Sequence, residues 1–549
     1  MINTPVMIIG GGPVGLTLAL CLSLQGIRST IINDRLTTTT HPKLDVVNCR
    51  SMEIYRQLGL SEKIRAAGNP LDANQISAFA ASASGPFFSV MSDRHFIYRP
   101  VADANKAIRA SRDGAFPLES MQRIAQMHLE PVLLDEARRD PNIDVQMGWR
   151  LYGFDQDETG VTAMAHHVET GTVCQYRSDY LIGCDGPASR VRNFLNIDYD
   201  GTRDLLGELF IIHFRSDEIA ALYPNGQPYW HTWISRPGFS GLLVSPDASR
   251  NDYVLHRPVV PKLNERLETI VAAALGTELK FEIIQSGPWR PQFLVAQSFG
   301  RDRVFLAGDA THQYMPTGGL GMNTGITEAH NLAWKIAAVL NGWGGARLMA
   351  TYEDERLPIA RRNRQHVRQC AAAAFEANFP KTDALLDQTP SGAAERALMG
   401  STFEEKVSRL YESMGIEIGY RYDQSSIIAR EQGPAPDYPE IDYIPSTWPG
   451  ARLPSTYLAN GAALFDLLSA SGFTLVVNGN SPDTGEMEKL STAATVRNVP
   501  LAVVHIGNPD LEPVYERQYL LVRPDQHVCW RGNSLPHDPG KLLDQVRGY

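Results

Sequence analysis

The sequence predicts an α/β fold, and three stretches carry that prediction. Residues 4–34 read as apolar strand, Gly-rich turn, helix and β-branched strand, a βαβ unit. Residues 303–340 run from a short apolar strand (Val304 to Ala307) through Gly308-Asp309 and a loop with Gly318, Gly319 and Gly321 into a long amphipathic helix. Residues 205–285 are strand-like and aromatic-rich (Phe210, Phe214, Tyr229, Trp230, Trp233, Phe239, Tyr253), as expected of a mainly antiparallel sheet inserted between the other two stretches. At 549 residues the chain is too long for one core, so two or three domains are expected.

The first element is Val6 to Ile9, bounded by Pro5 and Gly10 as a buried parallel strand would be. GGGPVG follows, giving Gly10-x-Gly12-x-x-Gly15, then a helix from Leu16 to Gln25 stopped by Gly26. The first glycine makes the turn, the second lets backbone meet a pyrophosphate, and the third lets helix pack on strand. The second strand, Thr30 to Ile32, ends in Asn33-Asp34-Arg35, and Asp34 lies where an acid would bond a ribose hydroxyl. Strand, turn, helix and acid together predict a Rossmann-type dinucleotide site for FAD or NAD. No second GxGxxG follows a later strand, so one dinucleotide is bound in this mode.

Pro42 and the residues after it read as an extended segment leading to a helix from Arg50 to Leu58. Asp45 stands there among Leu44, Val46 and Val47, an apolar setting for a carboxylate; by residue type alone it is as readily a turn Asp as a functional one. Residues 120–138 read as a helix with Ile124, Met127, Leu133 and Leu134 on one side, and Gln126 on it is an ordinary surface or capping residue. Residues 143–182 alternate and break at glycines like a β-meander, ending in a buried strand and Cys184-Asp185-Gly186. The Gly-rich loop before the long helix can take a group with acceptor atoms or negative charge at the helix start. A charged helix begins near Leu348, a helical piece spans Phe403 to Met414, and a Pro-rich strap follows from Pro434 to Pro454. The tail reads strand (Phe473 to Val477), helix, then strands Leu501 to Ile506, Tyr519 to Arg523 and His527 to Arg531, a small α/β unit.

Composition narrows the function classes. A formal net charge of −10 and the lack of a Lys/Arg stripe argue against nucleic acid. Six cysteines without a CxxC pair form neither a disulfide framework nor a zinc site, so no metal is expected and a reducing cytoplasm fits. The start has no basic n-region and no run of about 20 apolar residues occurs, so neither a signal peptide nor a membrane span is expected.

GGGPVG with Asp34-Arg35, Cys184-Asp185-Gly186, and Gly308-Asp309 followed by PTGGLGMN resemble, in order and spacing, the class A flavoprotein aromatic hydroxylases across about the first 370 residues. PGARLPSTYL, LFDLLSASGFTLVV and LLVRPDQHVCWRG resemble the C-terminal thioredoxin-like domain of phenol hydroxylase and the related chlorophenol and polyketide hydroxylases. The resemblance implies an FAD-binding domain over 1–375 with an interleaved substrate domain near 76–100 and 195–285. It also implies a linker over 376–450 and a thioredoxin-like domain without CxxC over 451–549. Gly10, Gly12, Pro13, Val14 and Gly15 would hold the FAD pyrophosphate, with Asp34 and Arg35 at the adenosine ribose. Lys43, Arg50, Gln126, Asp185, Gly186 and Asp309 match other cofactor positions, and Pro316, Gly319, Gly321, Met322 and Asn323 would border the flavin ring. The family usually has Glu at Asp34 and Arg at Lys43, and many members have Pro where Met315 stands.

The implied activity is hydroxylation of a phenolic or other electron-rich aromatic substrate with NADH or NADPH and O₂, through a flavin C4a-hydroperoxide. DVVNCRSMEI lines up with the family segment that carries an active-site Asp, which makes Asp45 the candidate catalytic residue. His256, with Tyr253 and His231, lies on the expected pocket strands as a proton relay, and Pro316 borders the reacting ring. Related flavin chemistry, Baeyer–Villiger oxidation or epoxidation of a polycyclic substrate, is the alternative; a non-catalytic flavin-binding protein is the second. A halogenase WxWxIP is absent, because Trp230-His231-Thr232-Trp233-Ile234 runs into Ser235. A small aromatic substrate and O₂ are the expected partners, with no nucleic acid or membrane, and a homodimer is the expected assembly.

Overall fold

Strand β1 (Ile2–Ile9) has Val6, Met7 and Ile8 with no solvent exposure, the mark of a strand covered on both faces. Burying each such side chain stabilises the fold by about 1.5–3 kcal/mol. In this computed structural model, which describes residues 1–43, 45–92, 96–203, 206–247, 249–262, 264–377, 383–479 and 482–549, β1 lies inside an eight-stranded sheet. It pairs in parallel with β2 (Ser29–Asn33) and with Val173–Gly183. Ile143–Met147 and Val304–Leu306 extend the parallel set on either side. Helix α1 (Pro13–Leu24) packs between this sheet and the long helix Leu320–Leu340. Only a glycine fits at Gly325 on that helix, since a Cβ there would lie 2.6 Å from Val14.

The expected meander is present as Trp149–Asp157 and Gly160–His167, but its first strand, Ile143–Met147, belongs to the parallel core. The expected helix over 120–138 is corrected at its start. The helix is Gln126–Arg139, and Gln122–Arg123 instead forms a short strand with β3 (Val46–Val47). Ile124 N–H donates to Asp45 O at 3.0 Å. Pairing with a segment far off in sequence overrides the helical pattern and fixes the backbone of Asp45.

A second, seven-stranded sheet is drawn from Ser77–Ala80 and Phe87–Met91 and from strands between Leu209 and Trp289. Two separate stretches of the chain thus contribute to it, and its last strand runs on to Trp289. Its neighbours are antiparallel, except that Ser77–Ala80 runs parallel to His231–Arg236. Alternation splits the side chains: Phe214, Tyr253 and Leu255 pack beneath with helix Leu267–Leu275, while Val254 and His256 turn to the opposite face.

Beyond helix Thr351–Ala377, helix Pro390–Val407 replaces the expected Phe403 to Met414. Thr389 caps it by accepting from Gly392 N–H at 3.1 Å, and Pro390 opens its first turn. The tail forms a four-stranded sheet in the order Leu501–Ile506, Phe473–Asn478, Tyr519–Val522, Val528–Gly532. Buried charges lock it to helix α2 (Cys49–Gln57) and to the long helices. Glu53 receives Arg50 at 3.0 Å and Arg452 Nε at 2.8 Å; Arg523 grips Glu355 at 2.6 and 2.9 Å. Among the described residues, no helix is long and apolar enough to cross a membrane.

Candidate active site

The glycine turn is shaped for close approach. Gly10 has φ +112°, and a Cβ there would lie 2.2 Å from Cys184 O; one on Gly15 would lie 2.0 Å from Gly10 O. At Gly12 a Cβ would meet nothing within 4 Å, so the turn opens to a ligand there. Gly12 caps α1 without a side-chain acceptor and Pro13 follows, so first-turn N–H groups face the opening unspent. Val14 packs on Gly308, where a Cβ would lie 3.0 Å away. Gly308 N–H donates to Glu328 at 2.8 Å, so a fully buried carboxylate that the sequence reading missed sets the Gly308-Asp309 turn. Asp309 itself is exposed at the cleft. An open turn lined with free N–H groups, next to an exposed acid, fits a pyrophosphate with its attached ribitol.

Several expected cofactor residues are placed differently. Asp34 points outward, 47% exposed, and pairs with Arg150 at 3.2 Å. Strand alternation turns Asn33 inward instead, where its Oδ1 accepts Gly11 N–H at 3.1 Å. Arg35 is exposed beside Asp34. Arg50 is 1% exposed and committed to Glu53, Gln526 and the Asp525 carbonyl, so it belongs to the domain clamp. Gln126 donates to Glu130 at 2.6 Å, and Glu130 accepts Thr39 N–H at 2.7 Å, tying down the segment before Lys43. Asp185 accepts Arg190 N–H at 2.7 Å and Val191 N–H at 3.2 Å; its carboxyl caps a short helix, and Gly186 beside it is open. Asn323 accepts Asn48 N–H at 3.0 Å and donates to Val46 O at 3.2 Å, stapling β3 to the long helix instead of reaching a ligand. Met322 packs on the main core, and Gly321 has open space before it. Leu44 lies outside the described residues.

A cavity of about 620 Å³ lies against one face of the seven-stranded sheet. Its roof is formed by His41 to Lys43, Asp45, Val46 and Asn48 and by the loop Met315 to Gly319, Pro316 included; its floor is the seven-stranded sheet. The long helix starts at this roof, with Gly319 as its cap and no side chain spent on its first N–H groups. Asp45, Trp230, His231, Trp233 and Tyr411 converge on one wall. Asp45 Oδ2 accepts Trp230 Nε1–H at 2.5 Å, and His231 Nε2 stands 3.9 Å from the same oxygen. Burial raises the Asp45 pKa, opposed by the Trp230 bond and the Arg123 charge.

Tyr411 fixes the histidine. Trp233 Nε1–H can only donate, and it reaches the Tyr411 hydroxyl at 3.1 Å. Ser77 Oγ stands 2.9 Å and His231 Nδ1 2.7 Å from the same hydroxyl, whose single proton goes to one of them. Burial, then the Arg123 and His256 charges, push the His231 pKa well below its usual range. The Asp45 carboxylate 3.9 Å from Nε2 favours the tautomer of the neutral ring with its hydrogen there, and Nδ1 then accepts from Tyr411.

His256 lines the same cavity, but on the strand paired with Leu242, two strands from His231; burial lowers its pKa to about 4. Tyr253 faces the other side of the sheet and is removed from the expected relay. Glu417 was not foreseen. It closes the cavity wall, accepts Cys49 N–H at 3.2 Å, and burial pushes its pKa from 4.5 up to about 7. Neither it nor Tyr411 lies in a recognisable string, and only the fold brings them to the wall.

A nucleotide cradle on one sheet, opening into a carboxylate-walled cavity above another, is the arrangement of a cofactor-dependent oxidoreductase. Residues 3–367 match the family described as FAD binding domain, and residues 446–548 match aromatic-ring hydroxylase, C-terminal. The FAD-dependent monooxygenase apdD of Emericella nidulans is 32% identical, with 99% of this chain and 90% of that protein covered. Phenol 2-monooxygenase of Pseudomonas sp. (strain EST1001) is 29% identical, covering 100% of this chain and 92% of the relative. The rebeccamycin biosynthetic enzyme RebC with reduced flavin is 32% identical with a TM-score of 0.87, covering 100% of this chain and 99% of the other. The chain belongs to the class A flavoprotein aromatic-ring hydroxylases; it is an FAD-dependent monooxygenase, with NADH or NADPH as the family's reductant.

Proposed function

We propose that the protein hydroxylates a phenolic ring of an extended aromatic substrate, with Asp45 as the base. The observation that carries this reading is the Asp45–His231 pair, 3.9 Å apart on the wall of a cavity of about 620 Å³. Bound FAD, reduced by NAD(P)H, supplies the activated oxygen. Gly10, Gly12, Pro13 and Gly15 would hold its pyrophosphate and Asp309 its ribitol side, and the free N–H groups of the helix start at Pro316 to Gly321 would stabilise negative charge on its ring.

A phenol of pKa about 10 must lose its proton near pH 7, a cost of about 4 kcal/mol. A hydroxyl seated between Asp45 and His231 donates to the carboxylate and accepts from His231 Nε2–H. As the proton passes to Asp45, the His231 bond stays with the oxygen that gains charge. Asp45→Asn is expected to keep FAD yet lower hydroxylation by about 10²-fold. The acid limb of the rate profile should disappear, and NAD(P)H oxidation should yield hydrogen peroxide in place of product. Wild-type rate with an unchanged pH profile would remove Asp45 from this role.

The C-terminal unit reads as thioredoxin-like. A parallel pair of strands crossed by helix Thr484–Val496, followed by an antiparallel hairpin, supports this. With no CxxC and Cys529 buried, the unit serves as a structural clamp. The free state of all six cysteines supports a reducing cytoplasm.

A further inference from the structure

The cavity floor crosses five strands of the seven-stranded sheet. It starts at His231–Arg236, beside the Asp45 wall, and passes over Phe239–Asp247, Asp252–Arg257 and Leu209–Arg215 to the edge strand Glu282–Trp289. Four strand spacings of about 4.8 Å make this floor roughly 19 Å long. Its two ends differ. Trp230, Trp233 and Tyr411 close the inner end and are buried. Gln285, on the edge strand, is exposed and yet lines the cavity, so the outer end reaches solvent. A single phenol ring held at the Asp45 wall leaves most of the floor uncovered.

Gly287 stands in the middle of the outer end, on the same face as Gln285 and Trp289. It pairs with Ile211, which lines the cavity, so a side chain at this position would rise from the floor as well. Its own backbone does not call for glycine, because its φ lies outside the left-handed region. Packing does not call for it either, since a Cβ there would meet no atom within 4 Å. A glycine inside a strand weakens the strand, and one that neither backbone nor neighbours require marks a place where a ligand passes close. Trp289 borders the gap on one side, its ring edge-on to that of His256 with centroids 6.5 Å apart. Gln285 borders it on the other, about 13 Å along the strand from Trp289.

We propose that Gly287 is a specificity-determining residue. Its missing side chain leaves a slot at the outer end of the floor, through which the far end of a long substrate passes into solvent. The substrates it admits are phenols extended in line from the reacting ring, with a flat apolar middle over the floor and a polar tail beyond Gly287. Short phenols bind without reaching it. This rests on the reading of the Asp45 wall as the hydroxylation site.

Two probes with the same rings test it: 4-hydroxy-4′-methoxybiphenyl, shorter than the floor, and its analogue with a triethylene glycol ether in place of the methoxy group, which is longer. Binding to the FAD-loaded enzyme is followed by calorimetry without NAD(P)H, and the FAD content of each variant is measured alongside. The wild type is expected to bind the two probes within about threefold of each other. Gly287→Leu should weaken the long probe by about tenfold and the short one by less than about twofold. Gly287→Ala should weaken the long probe alone by about threefold, and it covers the case in which the leucine variant does not fold. A wild type that binds the long probe more than about tenfold worse than the short one would overturn the slot. So would variants that bind the long probe as the wild type does, or that lose both probes equally at full FAD content. Discrimination by length with neither probe hydroxylated once NAD(P)H is added upholds the slot and sinks the hydroxylation reading. Hydroxylation of both probes by Gly287→Leu as fast as by the wild type does the reverse.

Discussion

Tyr411 acts on the reaction through its neighbour. Its hydroxyl accepts from Trp233 and stands at hydrogen-bond distance from Ser77 and from His231 Nδ1, which holds the His231 ring against the Asp45 wall. Tyr411→Phe keeps the ring and removes that constraint. Hydroxylation turnover is expected to fall by about tenfold with FAD content unchanged. Product formed per NAD(P)H consumed is the measurement, because a purely structural role would not move that ratio. Glu417 makes a pH argument. Its native pKa of about 7 exceeds its ordinary 4.5, so between those values the native state keeps a proton that the unfolded chain has lost. Stability therefore falls as pH rises through that window, by up to about 3 kcal/mol. Denaturant melts of Glu417→Gln should show a flatter profile there than the wild type. Asp45 could be found in the sequence because it sits in a short recognisable string. Tyr411 could not, since its partners lie 334 and 180 residues away.

At the level of elements, a period of two decides more than composition does. Asp34 is the acid that a motif search selects, yet β2 ends with Asn33 facing the glycine turn and Asp34 facing Arg150. Asn33→Ala is expected to weaken FAD binding by about tenfold, and Asp34→Ala by less than about twofold, when apoprotein is titrated with FAD and flavin fluorescence is followed. The reverse ranking would return the role to Asp34. The same alternation sends His256 into the cavity and Tyr253 out of it. Long periodic strands, such as Val173–Gly183 and Phe473–Asn478, were legible because burial on their faces is written locally. Gln122–Arg123 was not, because a strand of two residues exists only through its pairing with Val46–Val47.

Across the whole molecule, the tail is held to the cofactor domain by buried charge. Glu53 is fully enclosed, with Arg452, Arg50 and Leu118 N–H as its partners. Arg452→Ala would leave that carboxylate buried and underpaired, so a loss of about 3–5 kcal/mol is expected in denaturant unfolding, with the C-terminal unit released first. The strands of the tail were readable in the sequence, but the clamp was not, because each of its charges looks like an ordinary surface residue until Arg50, Glu355, Arg523 and Asp525 are brought together.

Tyr411 also bears on how the protein matures on the ribosome. The glycine cradle, the Gly308-Asp309 turn and the long helix are complete once residue 340 has emerged. The cavity wall at Tyr411 and Glu417, and the clamp residues Arg523 and Asp525, come later in synthesis. Since domains fold as units from the N-terminus, the nascent chain gains a place for its nucleotide before its oxidising chamber is walled off from water.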